Sequence, residues 1–205
     1  MSHQETARLF QRAFVRSGLR LSYSKGFNPR PRISLPLPRS VGLEGDAERL
    51  CVLIETDTPA DSRMPEGIDT EQIRSKLERQ LPRECPVVSL GIVRGRAKLH
   101  PVAASYEFEV GRTTLLDEVR LKAEQVLAER HLFIERRIDE KGSTRTVDVG
   151  SFIESIEFSG FNIVVTCRIS SAGTIRVDEI LELLGLDCSM LAAPVRRRNI
   201  QWQKT

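Results

Sequence analysis

Lys25, Arg30 and Arg32 stand close together in the stretch YSKGFNPRPRISLPLPRSVGLEG, residues 23–45. Gly26 and Asn28 lie between them, with Tyr23, Ser24 and Phe27 alongside. Cations beside residues that tolerate a positive φ are the ingredients of an anion-gripping turn, whose backbone N–H groups point at the ligand. Tyr23 and Phe27 add ring faces on which bases can stack. Pro29, Pro31, Pro36 and Pro38 stiffen the segment, so little entropy is lost when a ligand orders it. The pattern suits binding of a phosphate-rich ligand. The plainer reading is a loop whose Phe27 plugs the core while the prolines stiffen a domain joint.

The charge pattern bears on the choice. Residues 20–39 carry Arg20, Lys25, Arg30, Arg32 and Arg39 and no acid. Residues 93–100 carry Arg94, Arg96 and Lys98, and residues 194–205 carry Arg196, Arg197, Arg198 and Lys204, again without an acid. The formal net charge is only +3, so the rest of the chain is acidic. Such segregation offers a basic face to a polyanion such as RNA, or else three solvated basic loops. Ligand contacts are therefore expected from Tyr23, Ser24, Lys25, Gly26, Phe27, Asn28, Arg30 and Arg32, and from Arg196, Arg197 and Arg198. Arg145 and Asp148 join them, with Asp148 expected to pair with Arg145 or with a base of the first half.

Catalytic signals are sparse. His3 opens a helix beside the basic loop and is the one candidate for general acid–base work; a lone histidine is more often structural or exposed. No Ser/His/Asp set, Walker loop or carboxylate pair is evident. His3, His100 and His131 are far apart, and Cys51, Cys85, Cys167 and Cys188 form no CxxC pair. No metal and no cofactor is expected. The cysteines read as reduced and structural, which places the chain in the cytoplasm. No apolar run approaches the roughly 20 residues needed to span a bilayer.

The elements that must position these residues follow from periodicity. SHQETARLFQRAFVRSG is a helix, with Ser2 and Glu5 as a capping box and Ala7, Phe10, Phe14 and Val15 as its apolar stripe. RISLPLP is an edge strand or strand-like arm, because proline cannot donate to a ladder. ERLCVLIET and PVVSLGIV read as strands around the helix DTEQIRSKLERQL. In the second half ASYEFEV, LFIERRI, FIESIEF, FNIVVTCRIS and PVRRRNIQW read as strands. Two helices lie among them, one with Leu116, Val119, Ala123 and Val126 on one face and one ending at Gly185. That order is β-α-β-β-α-β with one extra short strand. The expected fold is α+β: two tandem ferredoxin-like (split βαβ) domains at 1–93 and 104–205, joined by a linker at 94–103. The first lacks its leading strand. Either the natural start lies upstream or the sheet tolerates an open edge, through which a homodimer would pair.

Residues 2–48 resemble the radical-SAM-linked protein family. The family pattern is a serine–histidine helix start, a Y-S-x-G-F-N-P-x-P-x-I-S run, a proline–leucine–proline element, a glycine and a glutamate. Here it falls on Ser2, His3, Tyr23, Ser24, Gly26, Phe27, Asn28, Pro29, Pro31, Ile33, Ser34, Pro36, Leu37, Gly42 and Glu48. TRTVDV with Asp148 extends it more loosely. Gln4 and Glu5 depart from the usual leucine–aspartate pair. The resemblance implies an accessory role beside a radical SAM protein, in RNA metabolism. No CxxxCxxC motif is present, so the chain is not itself the radical enzyme. The alternatives are an RNA-processing enzyme that uses His3 on a phosphodiester, and a pure protein–protein adaptor whose arm docks on its partner.

Overall fold

The structure, a computed structural model, describes residues 1–55, 69–95, 99–111, 114–138 and 142–204. Arg96, Lys98 and residues 139–141 lie outside them. The fold is mixed α+β, and the chain divides into two compact units. The first comprises Met1–Val41, Glu48–His100 and Lys204–Thr205; the second comprises Gly42–Ala47 and Pro101–Gln203. No helix among the described residues is long and apolar enough to cross a membrane.

In the first unit, α1 runs His3–Arg16. The Ser2 hydroxyl accepts the Glu5 N–H at 3.3 Å, and Glu5 Oε2 accepts the Ser2 N–H at 2.7 Å. The capping box thus closes in both directions, satisfying donors that have no partner inside the helix. Phe14 faces the core with Ala13, while Val15 is exposed. Val15 sits about 100° around the helix from Phe14, which takes it off the buried stripe. Helix α2, Thr70–Glu78, is capped by Asp69 and buries Ile73 and Leu77. These join Phe14 and Leu21 in a small core, with Ile33, Val52, Ile54, Val87 and Leu90 packed against it.

The described strands of this unit are short. β1, Ile33–Ser34, pairs antiparallel with β3, Cys51–Val52. The expected strand PVVSLGIV is absent: residues 86–93 have no ladder partner among the described residues. Val87 and Leu90 turn inward three positions apart, not the two that a pleated strand requires.

The second unit has a five-stranded sheet. Its strands are β2 (Glu44–Gly45), β4 (Leu99–Glu109), β7 (Ile153–Ser159), β8 (Asn162–Arg168) and β9 (Arg196–Lys204), in the order β2-β9-β4-β8-β7. β4 begins inside the stretch read as a linker. β4 and β7 both run antiparallel to β8, and β2 runs parallel to β9. Alternation is strict in β8, where Ile163, Val165 and Cys167 are fully buried. The Cys167 thiol is pushed up to about 12 by burial, which makes it a packing group rather than a nucleophile.

Helix α3, Thr114–Ala128, buries Leu116, Val119, Ala123 and Val126, the face its spacing predicts. Helix α4, Val177–Leu184, stops at Gly185 with φ of 65°, a left-handed cap. The β7–β8 turn places Gly160, φ 58°, at its first central position, with Ser159 opposite Asn162. Strand β5, Phe133–Arg137, pairs antiparallel with β6, Thr144–Asp148, in a separate two-stranded ladder. β6 is not among the strands that periodicity gives; its Thr-Arg-Thr opening is too polar to signal a strand without its partner.

Candidate functional site

The arm is a hairpin built around its prolines. The Ser24 N–H donates to the Arg30 carbonyl at 2.8 Å, and the Arg32 N–H donates to the Ser22 carbonyl at 2.9 Å. The inward donors of the returning strand are therefore residues 30 and 32. Pro29 and Pro31 occupy the alternate positions, where a missing N–H costs nothing. The Ser24 hydroxyl also accepts the Arg30 N–H at 3.0 Å, locking the neck.

The base of the hairpin is stitched to residues 53–55. Ser22 N–H donates to Leu53 O at 2.8 Å, Leu53 N–H to Arg32 O at 3.0 Å, and Glu55 N–H to Arg20 O at 2.8 Å. Buried Leu21 anchors the same segment in the core.

The tip presents Lys25, Gly26, Phe27, Asn28, Pro29 and Arg30 to solvent, and Tyr23 on the neck is also exposed. Phe27 is fully exposed and plugs no core. Gly26 has φ of 132°, and a Cβ built there would meet nothing within 4 Å. The turn therefore needs glycine for its backbone conformation, not for space. Asn28 keeps a negative φ, so of the two residues that tolerate a positive φ only Gly26 uses it in the turn. Among the described residues no carboxylate pairs with Lys25, Arg30 or Arg32. His3 sits half-buried on the first turn of α1.

The basic run on β9 is arranged differently. Arg196 lies 3.7 Å from Glu44 and 3.8 Å from Asp46, and Arg198 lies 3.2 Å from Glu107. Arg197 is 2% exposed, so its side chain belongs to the interior. A run without local acids thus receives three from β2, its flank and β4. It is largely neutralised where it stands.

Asp148 does not pair with Arg145. Its Oδ2 accepts the His131 Nδ1–H at 2.7 Å, and its Oδ1 accepts the N–H groups of Leu132 and Gly150, each at 3.1 Å. The carboxyl is held below its ordinary value, first by the imidazole and then by the two backbone donors. Arg145 lies opposite Arg136 across the ladder, on the other face from Asp148. Gly150 permits the close approach: a Cβ there would lie 2.6 Å from the Arg130 carbonyl oxygen.

The His131–Asp148 pair escapes sequence reading because its members are linked only through the β5–β6 ladder. The available signal is the small residue two positions after Asp148. Among the described residues no group of three or more His, Cys, Asp or Glu side chains is placed to hold a metal.

The family described as "Uncharacterized protein conserved in bacteria (DUF2344)" matches residues 1–178, a span that includes the arm, His131 and Asp148 and stops short of β9. No curated protein and no solved structure matches the chain.

Proposed function

The chain belongs to that bacterial family, and from this premise we propose that it is a cytoplasmic, non-catalytic accessory module that binds single-stranded RNA through the arm at residues 20–39. The observation that carries the proposal is Phe27, fully exposed at the tip of a hydrogen-bonded hairpin between Lys25 and Arg30. Covering an apolar ring that otherwise lies in water is favourable, so the exposed ring adds affinity to any ligand that stacks on it. A ring flanked by two cations suits a base stacked beside its own phosphates. The radical-SAM-linked resemblance of residues 2–48 adds the partner: the module presents its RNA to a radical SAM protein. The order β9-β4-β8-β7, with α3 and α4 as crossovers, supports a split-βαβ reading of the second unit.

The test is binding of labelled single-stranded RNA by a Lys25→Ala/Arg30→Ala/Arg32→Ala variant across a salt series. Affinity should fall, and the salt slope should flatten by about 0.7 log unit per lost phosphate contact. Unchanged affinity and slope would instead make the arm a protein-docking element.

A further inference from the structure

The solvent-facing side of the β5–β6 ladder carries Phe133, Glu135 and Arg137 opposite Asp148, Thr146 and Thr144. Two rings dominate it. His131, just ahead of β5, and Phe133 have planes 12° apart and centroids 6.2 Å apart. Their exposure is 71% for the His131 side chain and 67% for Phe133. Rings stacked face to face in van der Waals contact sit about 3.5–4 Å apart. At 6.2 Å, near-parallel rings cannot cover one another. Flat π surface is left open whether the offset lies along the planes or across them.

The His131 ring and the backbone that carries Phe133 are held in place. The His131 Nδ1–H is fixed to Asp148, and Asp148 is fixed by two backbone N–H groups. The ladder behind them is clamped by Arg136, which donates to both oxygens of Glu179 and to the Thr174 carbonyl. A ligand that stacks here orders little that is not already ordered. The acids on this face are also occupied. Glu135 accepts the Thr146 hydroxyl at 2.5 Å, and Asp148 has three donors. Arg137 stands on the same face, and exposed Arg130 adjoins His131 in sequence.

We propose that the His131–Phe133 pair is a stacking site for a nucleobase of single-stranded nucleic acid, carried by the second unit. The proposal rests on the reading of the chain as an RNA-binding module and adds to it a contact that gains affinity from π surface rather than from charge. Stacking tolerates any base, because every base has a π face.

The experiment measures fluorescence anisotropy of labelled oligoadenylate with the full chain, across a salt series. It compares wild type, Phe133→Ala, Phe133→Trp, Asp148→Asn and the arm triple variant. Phe133→Ala should weaken binding about tenfold with the salt slope unchanged, since no phosphate contact is lost. Phe133→Trp should restore it, and Asp148→Asn should weaken it several-fold by releasing His131. Thermal melts check that the variants fold; Phe133 is exposed, so its loss should leave the melting temperature in place. If Phe133→Ala binds as wild type while the arm variant does not, the stacking site is overturned and the arm stands. If the arm variant binds as wild type while Phe133→Ala does not, the arm reading fails and the stacking site stands. Absence of RNA binding by the wild-type chain overturns both.

Discussion

The guanidinium of Arg136 and the carboxylate of Glu179 meet fork to fork, Nε to Oε1 at 2.6 Å and Nη2 to Oε2 at 2.7 Å. The two side chains are 10% and 7% exposed. Glu179 also accepts the Arg176 N–H at 2.8 Å, so one carboxylate closes the start of α4 and holds the β5–β6 ladder to it. Truncating either partner leaves the other charge withdrawn from water without its fork: Arg136 keeps only the Thr174 carbonyl, and Glu179 keeps the Arg176 N–H and a guanidinium 4.0 Å away. Arg136→Ala or Glu179→Ala should each cost about 3–5 kcal/mol. Arg136→Met/Glu179→Leu should cost much less than the two singles combined. Urea melts of the four proteins check this, and additive singles would contradict it.

Asp148 should write itself into the acid limb of stability. Its folded carboxyl is depressed, so the ionised form stabilises the fold. The contribution is complete above the ordinary carboxyl value and is lost as pH falls through the lower folded value. Wild type should exceed Asp148→Asn in stability at pH 6, and the gap should close as the pH drops below about 4. Urea midpoints from pH 6 to pH 2 measure it. A gap that stays constant with pH would assign the difference to hydrogen-bond geometry alone.

Gly150→Ala should be costly although its backbone is ordinary. The added methyl falls 2.6 Å from the Arg130 carbonyl oxygen, a backbone atom that cannot swing aside. Overpacking of this kind costs about 1–3 kcal/mol. The signature beyond the melting temperature is a shift in the His131 ring resonances, because the displaced Arg130 carbonyl is bonded to the His131 nitrogen.

Gly26→Ala should separate conformation from fold at the arm. The φ of 132° strains any L side chain, at a cost of about 1–3 kcal/mol, while the surroundings are open. The tip should rearrange rather than unfold the unit. The expected outcome is an unchanged melting temperature with weaker RNA binding. Equal binding would show that the turn's shape does not matter to the ligand.

Legibility followed the range of the interaction. The capping box of Ser2 and Glu5, the four-residue face of α3 and the left-handed stop at Gly185 depend on neighbours a turn apart, and all are readable from the chain. PVVSLGIV misled because an apolar run contacts the core whether or not it finds a ladder partner. The unopposed charge of Arg196–Arg198 misled for the converse reason: Glu44, Asp46 and Glu107 are remote in sequence and adjacent in the sheet. The exposure of Phe27 was one of two readings that composition alone could not separate, since a plug and a knob use the same residue.

Strand β2 is two residues long, yet it reaches β9 from the opposite end of the chain, with Glu44 aligned to Arg196 and Gly45 to Arg197. Its hold on the sheet is therefore a matter of tethering. While the backbone between them is intact the pairing is intramolecular, and the loop-closure cost grows only slowly with length. A proteolytic nick between β2 and β4 would cut the chain that joins β2 to the strands beside β9, leaving a two-residue pairing whose few hydrogen bonds hold little by themselves. Arg196 and Arg197 would then lose their cover, leaving that edge of β9 able to recruit the corresponding strand of another molecule.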